Sequence, residues 1–192
     1  MAKAILMSIK PEWVAKILNG EKTIEIRKRF PKDYVGWVYI YCTKGNDLLL
    51  SHDKDKCFGT IGGNYKKCVS KHAFDNGKVV ARFWCDKVEE ISYEYRYDFT
   101  SVYTDTLSTE KLETKACLTR QEFRKYLNGN LGYAIHISKL EIFDEPKDLG
   151  EFYTTTLDKN PFKRFMTSYT LDNGLSVKKL TKAPQSWCYV EV

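Results

Sequence analysis

Between Asn19 and Phe30 the chain reads NGEKTIEIRKRF, which sets Lys22, Thr23, Glu25, Arg27 and Arg29 around Ile24 and Ile26. Side chains alternate in an extended strand. Ile24 and Ile26 would then face one side, and Thr23, Glu25, Arg27 and Arg29 the other. A glutamate between cations is held ionised by them. It can accept hydrogen bonds from a base edge or orient Arg27 toward a phosphate. Arg27 and Arg29 offer planar forks suited to phosphate oxygens. Lys22 could neutralise phosphate, or could form an acid–base pair with Glu25. The plain alternative is a solvated strand face with weak ion pairs.

Other residues could join such a site. Lys10 precedes Pro11 at a strand-to-helix junction, where free backbone N–H groups favour anions, and Ser8 lies beside it. Trp187, in PQSW after Gln185 and Ser186, could stack a base. Most of the other aromatics are needed as core fillers. His136, in AIHIS, faces away from Ile135 and Ile137; it reads as a general base or ligand contact, or as a satisfied structural histidine. His52, Cys57, Cys68 and His72 have residue types that suit zinc, but their spacing matches no standard finger, and no metal is expected. GTIGGNYKK lacks the G-K-[ST] ending of a phosphate loop, and no cofactor motif is legible. Glu89–Glu90 and Asp53–Asp55 read as surface carboxylates.

The elements that must position these residues follow from pattern. The apolar run Ala4 to Ile9 reads as a buried strand. Pro11 opens a helix with Trp13, Val14, Ile17 and Leu18 at helical spacing, and Gly20 ends it. TIEIRKR and Gly36 to Thr43 read as strands. KVVARFWCDKVEEISY and GYAIHISKLEIFD each read as one long strand. Thr119 and Glu122 make a capping box for a helix over LTRQEFRKYLNGN, stopped by Gly129. EPKDLGEF is a turn with a short helical piece, and APQSWCYVEV a terminal strand. Residues 44–77 and 153–182 read as loop-rich insertions, the first with GNDLLL as a candidate short strand, and 93–117 show no clear pattern. The strands and two helices do not alternate as repeated β-α-β units. The expectation is one α+β domain over 1–192, a bent sheet or small barrel with helices at its edge or mouth.

LMSIKPEWVAKILNGEKTIEIRKRFP resembles the opening motif of ASCH domains, a strand and helix followed by G-x-K-x-x-E-x-R, here Gly20, Lys22, Glu25 and Arg27. GKVVARFWCDKVEEI, GYAIHISKLEIFDEPKDLGEF and PQSWCYVEV resemble later parts of phage- and bacterium-borne ASCH proteins. The resemblance implies a PUA-like β-barrel with a cleft between the first helix and the barrel. It further implies that the cleft binds RNA, another nucleic acid or a nucleotide-like small molecule through Lys10, Lys22, Thr23, Glu25 and Arg27. Some small relatives are amidohydrolases acting on acetylated cytidine, with a threonine nucleophile in G-x-K-T-I-T-I-R. Glu25 stands where that threonine would be, which moves the expectation from catalysis toward binding. The competing readings are a hydrolase of modified nucleosides or a ribonuclease using Lys22 and Glu25, and a regulator whose insertions bind a protein.

Bulk properties fit this frame. The 192 residues are 43% hydrophobic and 14% aromatic, and 31 Lys+Arg against 25 Asp+Glu give a net charge of +6. That excess suits an anionic partner without requiring one. The six cysteines form no C-x-x-C pair, and those in YIYCT and RFWCD sit in apolar runs where a thiol acts as a small hydrophobe. No signal peptide or membrane span is legible, so a reduced, cytoplasmic protein is expected.

Overall fold

The apolar run at the start of the chain becomes the middle of the largest sheet. A computed structural model describes residues 3–52, 57–61, 76–96, 99–157, 169–170 and 175–192. In chain order the first elements are β1 (Lys3–Ile9), α1 (Pro11–Leu18), β2 (Ile24–Arg27), β3 (Gly36–Cys42), β4 (Leu48–His52) and β5 (Cys57–Ile61). Next come β6 (Val79–Cys85), β7 (Val88–Arg96), β8 (Phe99–Tyr103), α2 (Thr109–Ala116) and α3 (Arg120–Leu127). The chain continues with β9 (Gly132–His136), β10 (Ser138–Lys147), a 3-10 turn (Leu149–Glu151), β11 (Tyr153–Leu157), β12 (Tyr169–Thr170), β13 (Leu175–Lys179) and β14 (Trp187–Glu191).

The fold is α+β. Pairing among the described residues gives an eight-stranded sheet ordered β10-β6-β3-β1-β14-β11-β13-β12, a four-stranded sheet β2-β9-β7-β8, and the hairpin β4-β5. The large sheet curls as a half-barrel. β1 runs parallel to β3 and antiparallel to β14, with Lys3 opposite Glu191. One core joins Ile5, Met7, Val38, Ile40 and Phe83 of this sheet to Val14 and Ile17 of α1. Each such side chain contributes about 1.5–3 kcal/mol when fully buried. A second core packs Ile24 and Ile26 of β2 against Leu112 of α2 and Phe123 and Leu127 of α3. Cys42 and Cys85 are buried, and burial pushes both thiols up to about 12. No helix among the described residues is long and apolar enough to cross a membrane.

Several expectations are corrected. The stretch predicted as one strand from Lys78 to Tyr93 breaks at Asp86 and Lys87, and its halves join different sheets. The stretch from Gly132 breaks in the same way at Ile137. Helix α2 lies in the unassigned region; only Thr109, Leu112 and Ala116 of its eight residues are buried, too few for a visible apolar stripe. Within 44–77 the candidate strand at GNDLLL is present as β4, but β5, read as loop, pairs with it; both pack on α1, and Leu49, Leu50 and Phe58 are buried. Asn19 holds this hairpin, donating to the Phe58 carbonyl at 2.9 Å and accepting from the Phe58 N–H at 2.7 Å. Likewise β11 and β13 extend the large sheet from within 153–182, with Val177 buried. Cys68, His72, the Asp53–Asp55 pair and most of GTIGGNYKK lie outside the described residues; the backbones of His52 and Cys57 face each other across β4 and β5.

Candidate nucleic-acid interface

The site begins at the exit from α1. Gly20 adopts φ +75°, a left-handed conformation that glycine enters without steric cost. The N–H groups of Glu21 and Lys22 then both donate to the Lys16 carbonyl, at 2.9 and 3.0 Å. This turn aims Lys22 inward. Its ammonium donates to the carbonyl of Ala116, the last residue of α2, at 2.7 Å. A helix C-terminus carries partial negative charge and favours such a cation. Lys22 Nζ also lies 3.4 Å from Glu25 Oε2 and 5.3 Å from the centroid of the Trp13 ring.

Strand alternation does the rest. With Ile24 and Ile26 in the second core, Glu25 and Arg27 project oppositely. Glu25 Oε1 forms an ion pair with Arg27 Nη2 at 3.0 Å. The same Nη2 donates to the Ser8 carbonyl at 2.8 Å, and Nη1 reaches Ser186 Oγ at 3.4 Å. Lys22, Glu25 and Arg27 are only 2%, 7% and 8% exposed. They form a buried cation–carboxylate–cation triad, not a solvated strand face. Burial pulls the Lys22 ammonium below its ordinary pKa, and the Glu25 carboxylate opposes that pull. Arg27 Nε is buried and has no hydrogen-bond partner among the described residues.

The triad lies at the floor of a cleft of about 1270 Å³. Lys10, Glu12 and Trp13 at the start of α1 form one wall. Lys28 and Arg29 beyond β2, with Glu122, Lys125 and Tyr126 of α3, form another, and Gln185, Ser186 and Trp187 close the third side. Six cations and three carboxylates line it, a net +3. Ser8 is fixed in the floor: its hydroxyl donates to the Pro184 carbonyl at 2.7 Å and its N–H to the Ser186 carbonyl at 2.9 Å. Lys10 and Arg29 are exposed at the rim.

The structure thus brings Lys10, Lys22, Glu25, Arg27, Arg29 and Trp187 to one cleft. Thr23 does not line it; this exposed residue ends the turn, donating from its N–H to the Lys115 carbonyl at 2.9 Å. Arg27 is not an open phosphate fork, because Nη2 is already engaged by Ser8 and Glu25. Trp187 is half-buried, its indole N–H donates to the Arg29 carbonyl at 2.6 Å, and its ring stands edge-on to Phe30 and Tyr189. Sequence reasoning missed the contributions of Trp13, Lys125 and Tyr126. Their helical faces carry no mark that distinguishes a cleft wall from ordinary surface.

His136 does not line this cleft, although its strand pairs with β2 and sets it opposite Ile24. Its Nε2 lies 2.6 Å from Glu89 Oε2, while Glu89 Oε1 accepts from Thr106 at 2.6 Å, Thr104 at 3.1 Å and Lys87 at 3.1 Å. Glu89 is therefore a buried hub rather than the surface carboxylate expected. Burial raises its pKa, but the hydrogen bonds from Thr106, His136, Lys87 and Thr104 outweigh it and hold the carboxyl at about 2. No group of three or more His, Cys, Asp or Glu able to hold a metal occurs among the described residues.

No family model matches the chain, and no curated protein matches it by sequence. Solved structures do. The crystal structure of ASCH from Zymomonas mobilis superposes with a TM-score of 0.52 at 15% identity, covering 98% of this chain and 87% of that one. Two single-residue variants of the same protein give TM-scores of 0.54 and 0.51 at 16% and 14% identity. They cover 98% and 99% of this chain, and 88% and 91% of theirs. The chain therefore has the ASCH-domain fold.

Proposed function

We propose that this is a PUA-like domain whose basic cleft binds single-stranded RNA, or a closely related nucleic acid. One observation carries the reading: a concave site with net charge +3 has two cations buried at its floor and aromatic rings in its walls. Exposed cations at the rim supply sequence-independent attraction for phosphates, and aromatic walls suit bases. Lys10, Lys28, Arg29 and Lys125 are the phosphate contacts. Glu25 acts by fixing Lys22 and Arg27 rather than by touching ligand.

The reading is tested by fluorescence anisotropy with a short labelled single-stranded RNA. If the four rim cations each neutralise one phosphate, log K falls with log salt at about −0.7 per contact. The affinity then drops roughly 50-fold between about 50 and 200 mM salt. Affinity that is indifferent to salt and to Arg29→Ala and Lys125→Ala refutes it.

The enzymatic alternative, a nucleoside hydrolase or ribonuclease using Lys22 and Glu25, has one supporting observation. Burial lowers the Lys22 pKa and so eases proton release. Against it, both Glu25 oxygens already face cations. Turnover of RNA or acetylated cytidine that disappears in Lys22→Ala would favour catalysis; turnover that survives both Lys22→Ala and Glu25→Ala excludes it at this site.

A further inference from the structure

One wall of the cleft hangs on a short helix that lies outside it. Glu122, Lys125 and Tyr126 of α3, with Leu118 before it, form that wall. α3 is tied to α2 through a tight turn. Cys117 turns the chain at φ 52°, the Leu118 N–H donates to the Glu113 carbonyl at 3.1 Å, and Arg120 pairs with Glu113 at 3.3 Å. The wall therefore stands wherever α2 docks. Of the eight residues of α2 only Thr109, Leu112 and Ala116 are buried, and Ser108 at its N-cap makes no side-chain capping bond. A helix this short is marginal on its own. What grips its two ends then decides its position.

A polar grip exists at each end. At the C-terminal end the Ala116 carbonyl accepts from Lys22 Nζ and the Lys115 carbonyl from the Thr23 N–H, which fastens α2 to the floor of the cleft. At the N-terminal end the chain enters α2 through a closed turn. The Thr104 N–H donates to the Leu107 carbonyl at 3.0 Å, and the Leu107 N–H to Thr104 Oγ1 at 3.1 Å. Glu89 of β7 holds that turn. Its Oε1 accepts from Thr104 and Thr106, while Lys87 and His136 fix the carboxylate from the sheet side. Glu89 and Thr104 are both buried. A carboxylate with several donors is a strong and directional anchor where water is scarce. Glu89 itself does not line the cleft.

Resting on the cleft reading above, we propose that Glu89 is a positioning residue for the nucleic-acid site. By clamping the 104–107 turn it sets where α2 docks, and hence where α3 presents Lys125 and Tyr126. The small sheet is the rigid base for this, because β9 alone separates β7 from β2 in the order β2-β9-β7-β8. Lys10 precedes α1, and Lys28 and Arg29 follow β2, so these three lie outside the chain of contacts from Glu89. Loosening the clamp should therefore remove the Lys125 phosphate contact and keep the other three.

Glu89→Gln and Thr104→Val break the clamp from either side with little change of shape. Phe152→Leu is the control, since it loosens a third core of Tyr39, Val79 and Val190 away from the cleft. Labelled single-stranded RNA is titrated by anisotropy across a salt series. Loss of the Lys125 contact should weaken binding about eight-fold at ~50 mM salt and change the slope of log K against log salt from about −2.8 to about −2.1. Phe152→Leu should leave both unchanged. In a Lys125→Ala background the clamp variants should not alter the slope further. Hydrogen exchange at the Thr23 N–H, which donates to the Lys115 carbonyl, should quicken in the clamp variants but not in Phe152→Leu. Wild-type affinity and slope in the clamp variants, or the same loss in Phe152→Leu, overturns the positioning role while the basic cleft stands. If the wild type binds no strand, the cleft reading fails, and unchanged Thr23 exchange in the clamp variants then overturns the clamp as well. Should Glu89→Gln not fold, Thr104→Val decides alone.

Discussion

Replacing Glu25 by Gln removes one charge from between two buried cations and leaves its shape almost unchanged. Glu25 lies 3.4 Å from Lys22 and 3.0 Å from Arg27, and each of the three side chains is at most 9% exposed. Solvent screening is therefore weak. Removing one partner of a buried ion pair costs about 3–5 kcal/mol, chiefly because the remaining charge is left uncompensated. For a domain of this size each kcal/mol lowers Tm by about 2–4 °C, so Glu25→Gln should melt about 6–20 °C below wild type. The pH dependence supplies an independent sign. The folded-state pKa of Lys22 is lowered, so the folded protein binds fewer protons than the unfolded chain as pH rises toward 10.5. The stability governed by this group then increases with pH through that window. Without Glu25 the pKa falls further, and the window opens at lower pH. Circular-dichroism melts of wild type, Glu25→Gln, Lys22→Met and the double variant, near pH 7 and near pH 9.5, complete the cycle. The loss in Glu25→Gln should shrink at the higher pH, and the double variant should recover part of it. A Glu25→Gln loss below about 1 kcal/mol, or coupling below about 0.5 kcal/mol, refutes the account of a desolvated triad.

The Glu89 hub should reveal itself in acid. Its carboxyl is held at about 2 against an ordinary 4.5, so its contribution is complete above about pH 4.5 and is lost as pH falls through 2. Glu89→Gln should flatten acid denaturation in that interval; an unchanged acid limb counts against the hub. Asn19→Ala removes two hydrogen bonds to Phe58 and should cost about 1–2 kcal/mol in urea unfolding. It should also speed hydrogen exchange in β4 and β5 ahead of the rest, and uniform exchange would contradict this. Gly132→Ala would place a Cβ 2.7 Å from Leu127 Cδ2, and Leu127 is fully buried. It should destabilise by about 1–3 kcal/mol, and a neutral result would mean that α3 shifts freely.

Much of this site was legible because its residues are local. Gly20, Lys22, Glu25 and Arg27 sit in one turn and one short strand, and alternation correctly separates Ile24 and Ile26 from Glu25 and Arg27. The capping box at Thr119 and Glu122 is equally local and is present. The partners are not local. Nothing near Lys22 announces the Ala116 carbonyl, and nothing near Arg27 announces Ser8 or Ser186. An isolated strand with these charges would be solvated, the plain alternative reading of the sequence; burial comes from α2, α3 and the segment at 184–187 closing over it. The two long strands misread as continuous have no glycine or proline at their breaks. Asp86 and Ile137 sit where the chain passes from one sheet to the other, a change dictated by tertiary pairing.

The same dispersal bears on the order in which the molecule assembles. The Lys22 contact spans 94 residues and the Arg27–Ser186 contact 159, while β1 finds its partner β14 across nearly the whole chain. Such separations put the fold among slow, high-contact-order topologies, where loop-closure entropy is met before the contacts that offset it. The floor can form only once β1 and β14 have paired and α2 has docked. Trp187, packed against Phe30 beside that floor, is thus placed to report the last kinetic phase by its fluorescence. Ligand-binding competence should arrive with that phase, not with the earlier gain of secondary structure.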